Sequence, residues 1–332
     1  MRALLTALFL LANPATAAEC TGQNVFDTMA PDVRMAIEAA ARAVPYPEGN
    51  LWTATKEGQT VTLVGTYHFD DPRHDQTMAL IAPLIDSAAT VLVEAGPEEE
   101  KALIAHMARD PSLMILPDTT LPELLPAADW DLLAKALSRR GIPPFMAAKF
   151  QPWYVTLLLA VPNCGPALAQ KPRGLDARIL ERATASKLPV RALEPYDTVF
   201  RIFDLLPTED QFAMIRNSLA TEDRAQDYAV TLADTYFAGH SRLIWELMRA
   251  EALTLPGADP TQTAREFEAM EEALMSSRNR AWIPVIETAS QSGPVFAAFG
   301  ALHLPGADGV LNLLDRAGWA LEPLTMPRQT AP

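Results

Sequence analysis

The sequence predicts an α/β protein: a mixed, mostly parallel sheet built from two α/β half-repeats, with a large helical insertion. Three observations predict it. Apolar runs rich in β-branched or aromatic residues at 61–64, 91–93 and 295–299 have the length of short buried strands. The first run is followed by a helical period at Met78, Ile81, Leu84 and Ile85. That strand-helix-strand order favours parallel strands joined by a right-handed crossover. Two of the runs also end alike, in Gly65-Thr66-Tyr67-His68 and in Gly300-Ala301-Leu302-His303. With 15 glycines and 5 histidines in the chain, chance yields about 0.2 Gly-x-x-His patterns, so two of them, each past a strand, point to a shared device.

The elements follow in order. Residues 1–18 carry a basic start, an apolar segment too short to span a bilayer, and a small-residue site at Ala15-Thr16-Ala17. We expect a signal peptide cut after Ala17 or Ala18, in preference to a lipoprotein signal at Cys20 or a retained anchor, which leaves a single domain over 19–332 in the periplasm or outside the cell. Residues 31–43 form a helix with Ala30-Pro31 at its first turn, and 44–50 a linker. A strand at 51–55 turns through Lys56-Glu57-Gly58-Gln59 into the first motif strand. A helix over 75–87 leads to the strand ending at Glu94.

A helix over 98–109 stops at Asp110-Pro111. Beyond 116 the chain is Pro-rich and helical in short pieces, with a capping box from Thr120 to Glu123, a cap at Asp129 for a helix over 130–140, and a stop at Gly141. The apolar block 145–161, with Trp153 and Tyr154, reads as a core helix or the wall of a pocket. A helix over 175–187 and a strand over 190–193 end at Glu194. Residues 197–280 are almost all helical, with a second capping box from Thr208 to Gln211 and breaks near Thr221, Gly239 and Pro256-Gly257. Such an insertion suits a lid or a specificity region. Strand 295–299, helix 310–317 and strand 319–322 complete the sheet.

Composition bounds the partners. The formal net charge is -14, and such a surface repels phosphate backbones and anionic lipid. We therefore expect no nucleic-acid partner, and no membrane insertion once the signal peptide is gone. Export permits disulfides, and the expected pair is Cys20 with Cys164.

The chemistry is expected at the carboxyl ends of the strands, where an open α/β sheet offers a crevice. His68 and His303 each follow a glycine there. Glu94 ends an apolar run, where a carboxylate needs a cation, a metal or hydrogen bonds to offset its burial. Two imidazoles and a carboxylate make a three-ligand set for a catalytic divalent ion. The bland counterparts are a backbone-bonded histidine and a glutamate at a helix N-terminus. Asp70 or Asp71 could orient His68, or serve only as acids near a helix start. His74 reads as a surface residue, and His106 and His240 as structural. Asp176 and Glu194 stand at element boundaries, where capping explains both, and Glu194 could also reach the site. The sequence has no Gly-x-Ser-x-Gly elbow, His-Glu-x-x-His helix, phosphate-binding glycine loop or Cys-x-x-Cys.

With its pair of Gly-x-x-His motifs and the glutamate between them, the chain resembles the TraB/GumN family, bacterial relatives of the Tiki metalloproteases. The likeness extends to Gly-Leu-Asp at 174–176, Leu-Glu-Pro at 193–195 and Arg-Asn at 278–279. It implies a metal-dependent hydrolase, with a peptide or another small extracytoplasmic molecule as substrate. His68, Glu94 and His303 would hold a divalent ion, either manganese, cobalt or zinc, with Glu94 as base. Arg278 and Asn279, expected between two helical stretches, would steady the oxyanion. The competing expectation is a non-enzymatic periplasmic protein that binds peptide or saccharide in the same crevice.

Overall fold

The computed structural model describes residues 20–161, 164, 174–204, 206–254 and 258–324. The expected signal peptide and the expected break at Pro256-Gly257 lie outside these residues. Six strands form one sheet: β1 (Leu51–Lys56), β2 (Gln59–Thr66), β3 (Thr90–Val93), β4 (Val190–Ala192), β5 (Val295–Gly300) and β6 (Ala320–Pro323). Their order across the sheet is β4-β3-β5-β2-β1-β6. The first four run parallel, and β1 is antiparallel to both β2 and β6. The β1–β2 turn holds Glu57 at φ 51° and Gly58 at φ 82°, the two positive values that suit a tight hairpin to the twist of its strands.

Helices, in chain order, are α1 (Val25–Thr28), α2 (Pro31–Arg42), α3 (His74–Asp86), α4 (Pro97–Arg109), α5 (Leu121–Leu124), α6 (Ala127–Arg139), α7 (Pro144–Ala147) and α8 (Pro152–Ala160). They continue as α9 (Leu175–Ala185), α10 (Thr198–Asp204), α11 (Thr208–Ala220), α12 (Ala225–Phe237), α13 (Arg242–Ala252), α14 (Pro260–Glu271), α15 (Ser277–Ser290) and α16 (Val310–Arg316).

The central strand, β5, has every residue buried. Its side chains alternate between two cores, as the period of two in a strand requires. Ala297 and Phe299 join Trp282 and Ile286 of α15 and Leu311 and Leu314 of α16 on one face. Phe296 and Ala298 join Ile81 and Ile85 of α3 and Ile179 and Ala183 of α9 on the other. Each Gly-x-x-His strand is followed by a helix and a strand, β2-α3-β3 and β5-α16-β6. A third core gathers α5, α6, α8 and α11 away from the sheet. Cys20 is disulfide-bonded to Cys164, which ties the N-terminal arm to the segment after α8.

Several local expectations are corrected. His74 is fully buried among Tyr67, Tyr236 and Phe237, because α3 turns its first residue under the His68 loop. Block 145–161 is two helices rather than one, with Phe145 exposed, since Pro152 starts a new helix. Neither Asp129 nor Thr208 is a cap: α6 starts at Ala127 after Pro126, and α11 at Thr208 itself after Pro207. A proline's fixed φ sets up the residue before a first helical turn as well as a capping side chain does. The Thr120–Glu123 capping box does form. Arg278 and Asn279 do not lie between separate helices, because α14 runs through a π-helical segment at Glu272–Ser276 directly into α15.

Candidate functional site

Sheet register brings the motif residues together. β2 and β5 are neighbours, with Gly65 opposite Phe299 and Thr66 opposite Gly300, so both Gly-x-x-His segments leave the same sheet edge side by side. On the far side of β5, Val93 stands opposite Ala298. Glu94 therefore arrives one residue short of Gly300, whose N–H donates to Glu94 Oε1 at 2.6 Å. β4 runs beside β3 with Ala192 opposite Val93, which carries Glu194 to the same edge.

Each imidazole is held by its Nδ1. Asp176, in the first turn of α9, accepts from His68 Nδ1 at 2.8 Å and from the Thr66 hydroxyl at 2.5 Å. Gly174 makes this placement possible: a Cβ there would fall 2.2 Å from the His68 carbonyl oxygen, and the next residue's N–H donates to the Tyr67 carbonyl. Asn279 does the equivalent for His303. Its amide nitrogen donates to the carbonyls of His303 and Asp308, so its Oδ1 accepts from His303 Nδ1, at 2.6 Å. His303 thus carries its proton on Nδ1 and presents Nε2 as a lone pair, and His68, donating from Nδ1, turns its Nε2 toward the crevice. His68 is open to the crevice, with 60% of its side-chain area exposed, whereas His303 is 7% exposed.

Arg278 spans the two sides with all five of its N–H donors. Nε and Nη2 pair with Glu194 at 2.8 and 2.7 Å, and Nη2 also reaches Glu94 Oε2 at 2.7 Å. Nη1 donates to the Leu274 carbonyl at 2.8 Å and to His303 Nε2 at 3.1 Å. Leu274 belongs to the π-helical segment, so the widened turn supplies an acceptor for Arg278, in keeping with the frequent use of such turns at functional sites. Trp282, one turn further on, lies under the guanidinium at 5.0 Å, donates to Glu194 at 3.1 Å, and packs on the His303 ring at 4.4 Å between centroids.

These contacts set the charges. Burial alone would raise the Glu94 carboxyl, but His303, Arg278 and His68 with the Gly300 N–H outweigh it and hold it well below the usual carboxylate range. Burial lowers His303, with Arg278 and His68 adding to the effect against Glu94, and keeps it neutral. Desolvation pulls His68 down, while the charge and hydrogen bond of Asp176, with Glu94, more than reverse this and raise it above its ordinary 6.5. Glu194 is raised by burial in spite of Arg278.

The model of the TraB/PrgY/gumN family matches residues 50–323. The chain belongs to the TraB/PrgY/gumN family. The matched span is the sheet itself, from the residue before β1 to the last residue of β6, together with everything threaded between its strands. No curated protein matches the chain.

Against the divalent ion that the resemblance implies, the donor chemistry fits. Two imidazoles anchored at Nδ1 turn Nε2 into the crevice, His68 after giving up its second proton, and one half-buried carboxylate faces them. A Cβ on Gly300 would lie 3.2 Å from His68 Nε2 and 3.3 Å from Glu94 Oε1, so glycine keeps the space between those two donors clear. The donors are not drawn around one point, however. Glu94 Oε1 is 4.0 Å from His303 Nε2, and among the described residues no group of three or more His, Cys, Asp or Glu side chains is arranged to hold an ion.

Of the residues singled out from sequence, His68, Glu94, Arg278, Asn279 and His303 converge here. Asp70 and Asp71 do not, because they pair with Arg178 and Arg73. His106 packs against Tyr196 and Phe200, and His240 faces Glu48. Asp176 and Glu194 are the residues that sequence reasoning left chiefly as caps. Glu194, like Glu94, is a carboxylate just past a strand, but its strand is short and carries Arg191.

Proposed function

We propose that the protein is an extracytoplasmic metal-dependent hydrolase whose substrate is a peptide. The observation that carries this reading is the pair of anchored imidazoles on either side of Glu94, with Gly300 keeping the space between Glu94 and His68 Nε2 clear. His68, Glu94 and His303 would hold the divalent ion, either manganese, cobalt or zinc, and when bound it supplies Lewis-acid polarisation of a carbonyl and acidification of water. Asp176 and Asn279 fix the two imidazoles and act through them. Asn279 has its whole amide committed to His303 and Asp308, so it is a positioning residue rather than an oxyanion donor. Glu94, ionised and next to the crevice, would accept a hydrogen bond from the attacking water and orient it. Arg278, held by Glu194, presents positive charge to the oxygen on which negative charge develops.

The test is elemental analysis of the mature protein and of His68→Ala after exposure to manganese, cobalt and zinc, with hydrolysis of a peptide and ester panel measured on the same samples. Near-stoichiometric ion and turnover in the wild type, both lost in a folded His68→Ala, support the reading. Turnover that survives in His68→Ala refutes it.

A further inference from the structure

Arg278 stands as a cation in the crevice. It reaches two of the three candidate donors: Nη1 lies 3.1 Å from His303 Nε2, and Nη2 lies 2.7 Å from Glu94 Oε2. A lone pair engaged by an N–H is not free for an ion, and a guanidinium repels a divalent cation brought against the same carboxylate. Arg278 also has somewhere to go. Three of its five hydrogen bonds, two to Glu194 and one to the Leu274 carbonyl, use neither His303 nor Glu94. Glu194 is 13% exposed and is held in turn by Trp282, so it is a fixed acceptor that keeps the arginine compensated when the other two contacts are lost.

We propose that Arg278 and the divalent ion compete for the same two donors, Nε2 of His303 and the Glu94 carboxylate. Arg278 is then the resident cation of the ion-free crevice, and it draws back onto Glu194 when an ion binds. This inference rests on the metal reading above and adds a regulatory element to it: the affinity of the site is set by an arginine that the ion has to displace. A buried carboxylate without a partner is costly. Arg278 removes that cost in the ion-free state, and each departure of the ion is matched by the return of the guanidinium. Trp282 reports the exchange, because its ring touches both the guanidinium and the His303 imidazole.

The experiment titrates zinc, cobalt and manganese, each alone, into wild type, Arg278→Gln and Arg278→Lys in competition with a chromophoric chelator. Tryptophan fluorescence is followed in parallel, with Trp282→Phe as the subtraction. Losing two hydrogen bonds to charged or buried partners corresponds to roughly ten- to a hundredfold in affinity, so Arg278→Gln should bind the ion tighter by about that factor. Arg278→Lys retains the positive charge but cannot span His303 and Glu94 together. Tighter binding in this variant separates occupancy of the donors from simple repulsion, and it answers the question if Arg278→Gln does not fold. In the wild type, ion binding should bring a fluorescence change that Trp282→Phe lacks. Arginine variants that bind no tighter than wild type, or stoichiometric binding with no Trp282 signal, overturn the competition and leave the metal site standing. Absence of binding in wild type and variants alike overturns both.

Discussion

Gly300→Ala tests the crevice with a single methyl group. The backbone at Gly300 has φ -51° and ψ 135°, a conformation open to any L-residue, so alanine introduces no backbone strain. At compatible positions this exchange stabilises by about 0.4–1 kcal/mol, because the unfolded chain loses freedom. The new Cβ would stand 3.2 Å from His68 Nε2 and 3.3 Å from Glu94 Oε1, so a neighbour must give by a few tenths of an ångström. Glu94 is fixed by the Gly300 N–H and Arg278. His68 is the one that yields, since most of its side chain faces solvent. Stability should therefore be unchanged or higher by up to about 1 kcal/mol, while under the proposed function ion affinity and hydrolysis should fall by at least about tenfold, as small misplacements at reacting centres do. Chemical denaturation, chelator competition and turnover on the same preparation measure all three. Gly65→Ala is the contrast: its Cβ would lie 2.9 Å from the Ala301 Cα and 2.7 Å from Leu304, so it should lose stability. A Gly300→Ala protein with wild-type affinity and turnover would show that His68 and Glu94 do not act together across Gly300.

Further predictions concern positioning and stability. Gly174→Ala places a Cβ 2.2 Å from the His68 carbonyl oxygen, and because backbone atoms cannot swing aside, denaturation should report a loss of about 1–3 kcal/mol. Glu222→Gln leaves Arg140, 1% exposed, without the carboxylate it meets at 2.8 and 3.0 Å, and unfolding free energy should drop by about 3–5 kcal/mol. His74 is buried, and burial keeps its imidazole below the ordinary 6.5 despite the Phe69 carbonyl. The unfolded chain therefore binds a proton that the folded chain refuses. Stability should be unaffected by this group above pH 6.5 and should decline as pH falls below it. The difference between wild type and His74→Phe in denaturation from pH 7 to 5 isolates this dependence, and parallel curves would refute it.

A histidine at the start of a helix, as His74 is, gives no sign in sequence of which way that helix will roll. Only the contact of α3 with Tyr67, Tyr236 and Phe237 turned it inward. Asp70 and Asp71 were the near acids in sequence, yet the carboxylate on His68 comes from Asp176, over a hundred residues away, because α9 begins against the His68 backbone at Gly174. The predicted boundary before Arg278 vanished because a π-helical segment carries α14 into α15 without a cap or a glycine to announce it.

The sequence by itself determined the strands, their glycine-terminated ends and the residue types placed just past them. These are local matters: apolar run length and period decide what can be buried in a strand, and a glycine tells where the backbone must stay slim. It also determined which residues were worth following, since a histidine or glutamate past a buried run needs a partner somewhere. Tertiary structure alone decided who that partner is. The parallel pairing of β2 with β5 joined motifs more than two hundred residues apart, and the register of β3 and β4 delivered Glu94 and Glu194 to the same edge. Arg278 stands between them because the face of α15 is set by Trp282 and Ile286 packing against β5. Partners of a buried charge are fixed by distances in space, and a single chain read in order carries those distances only through its fold.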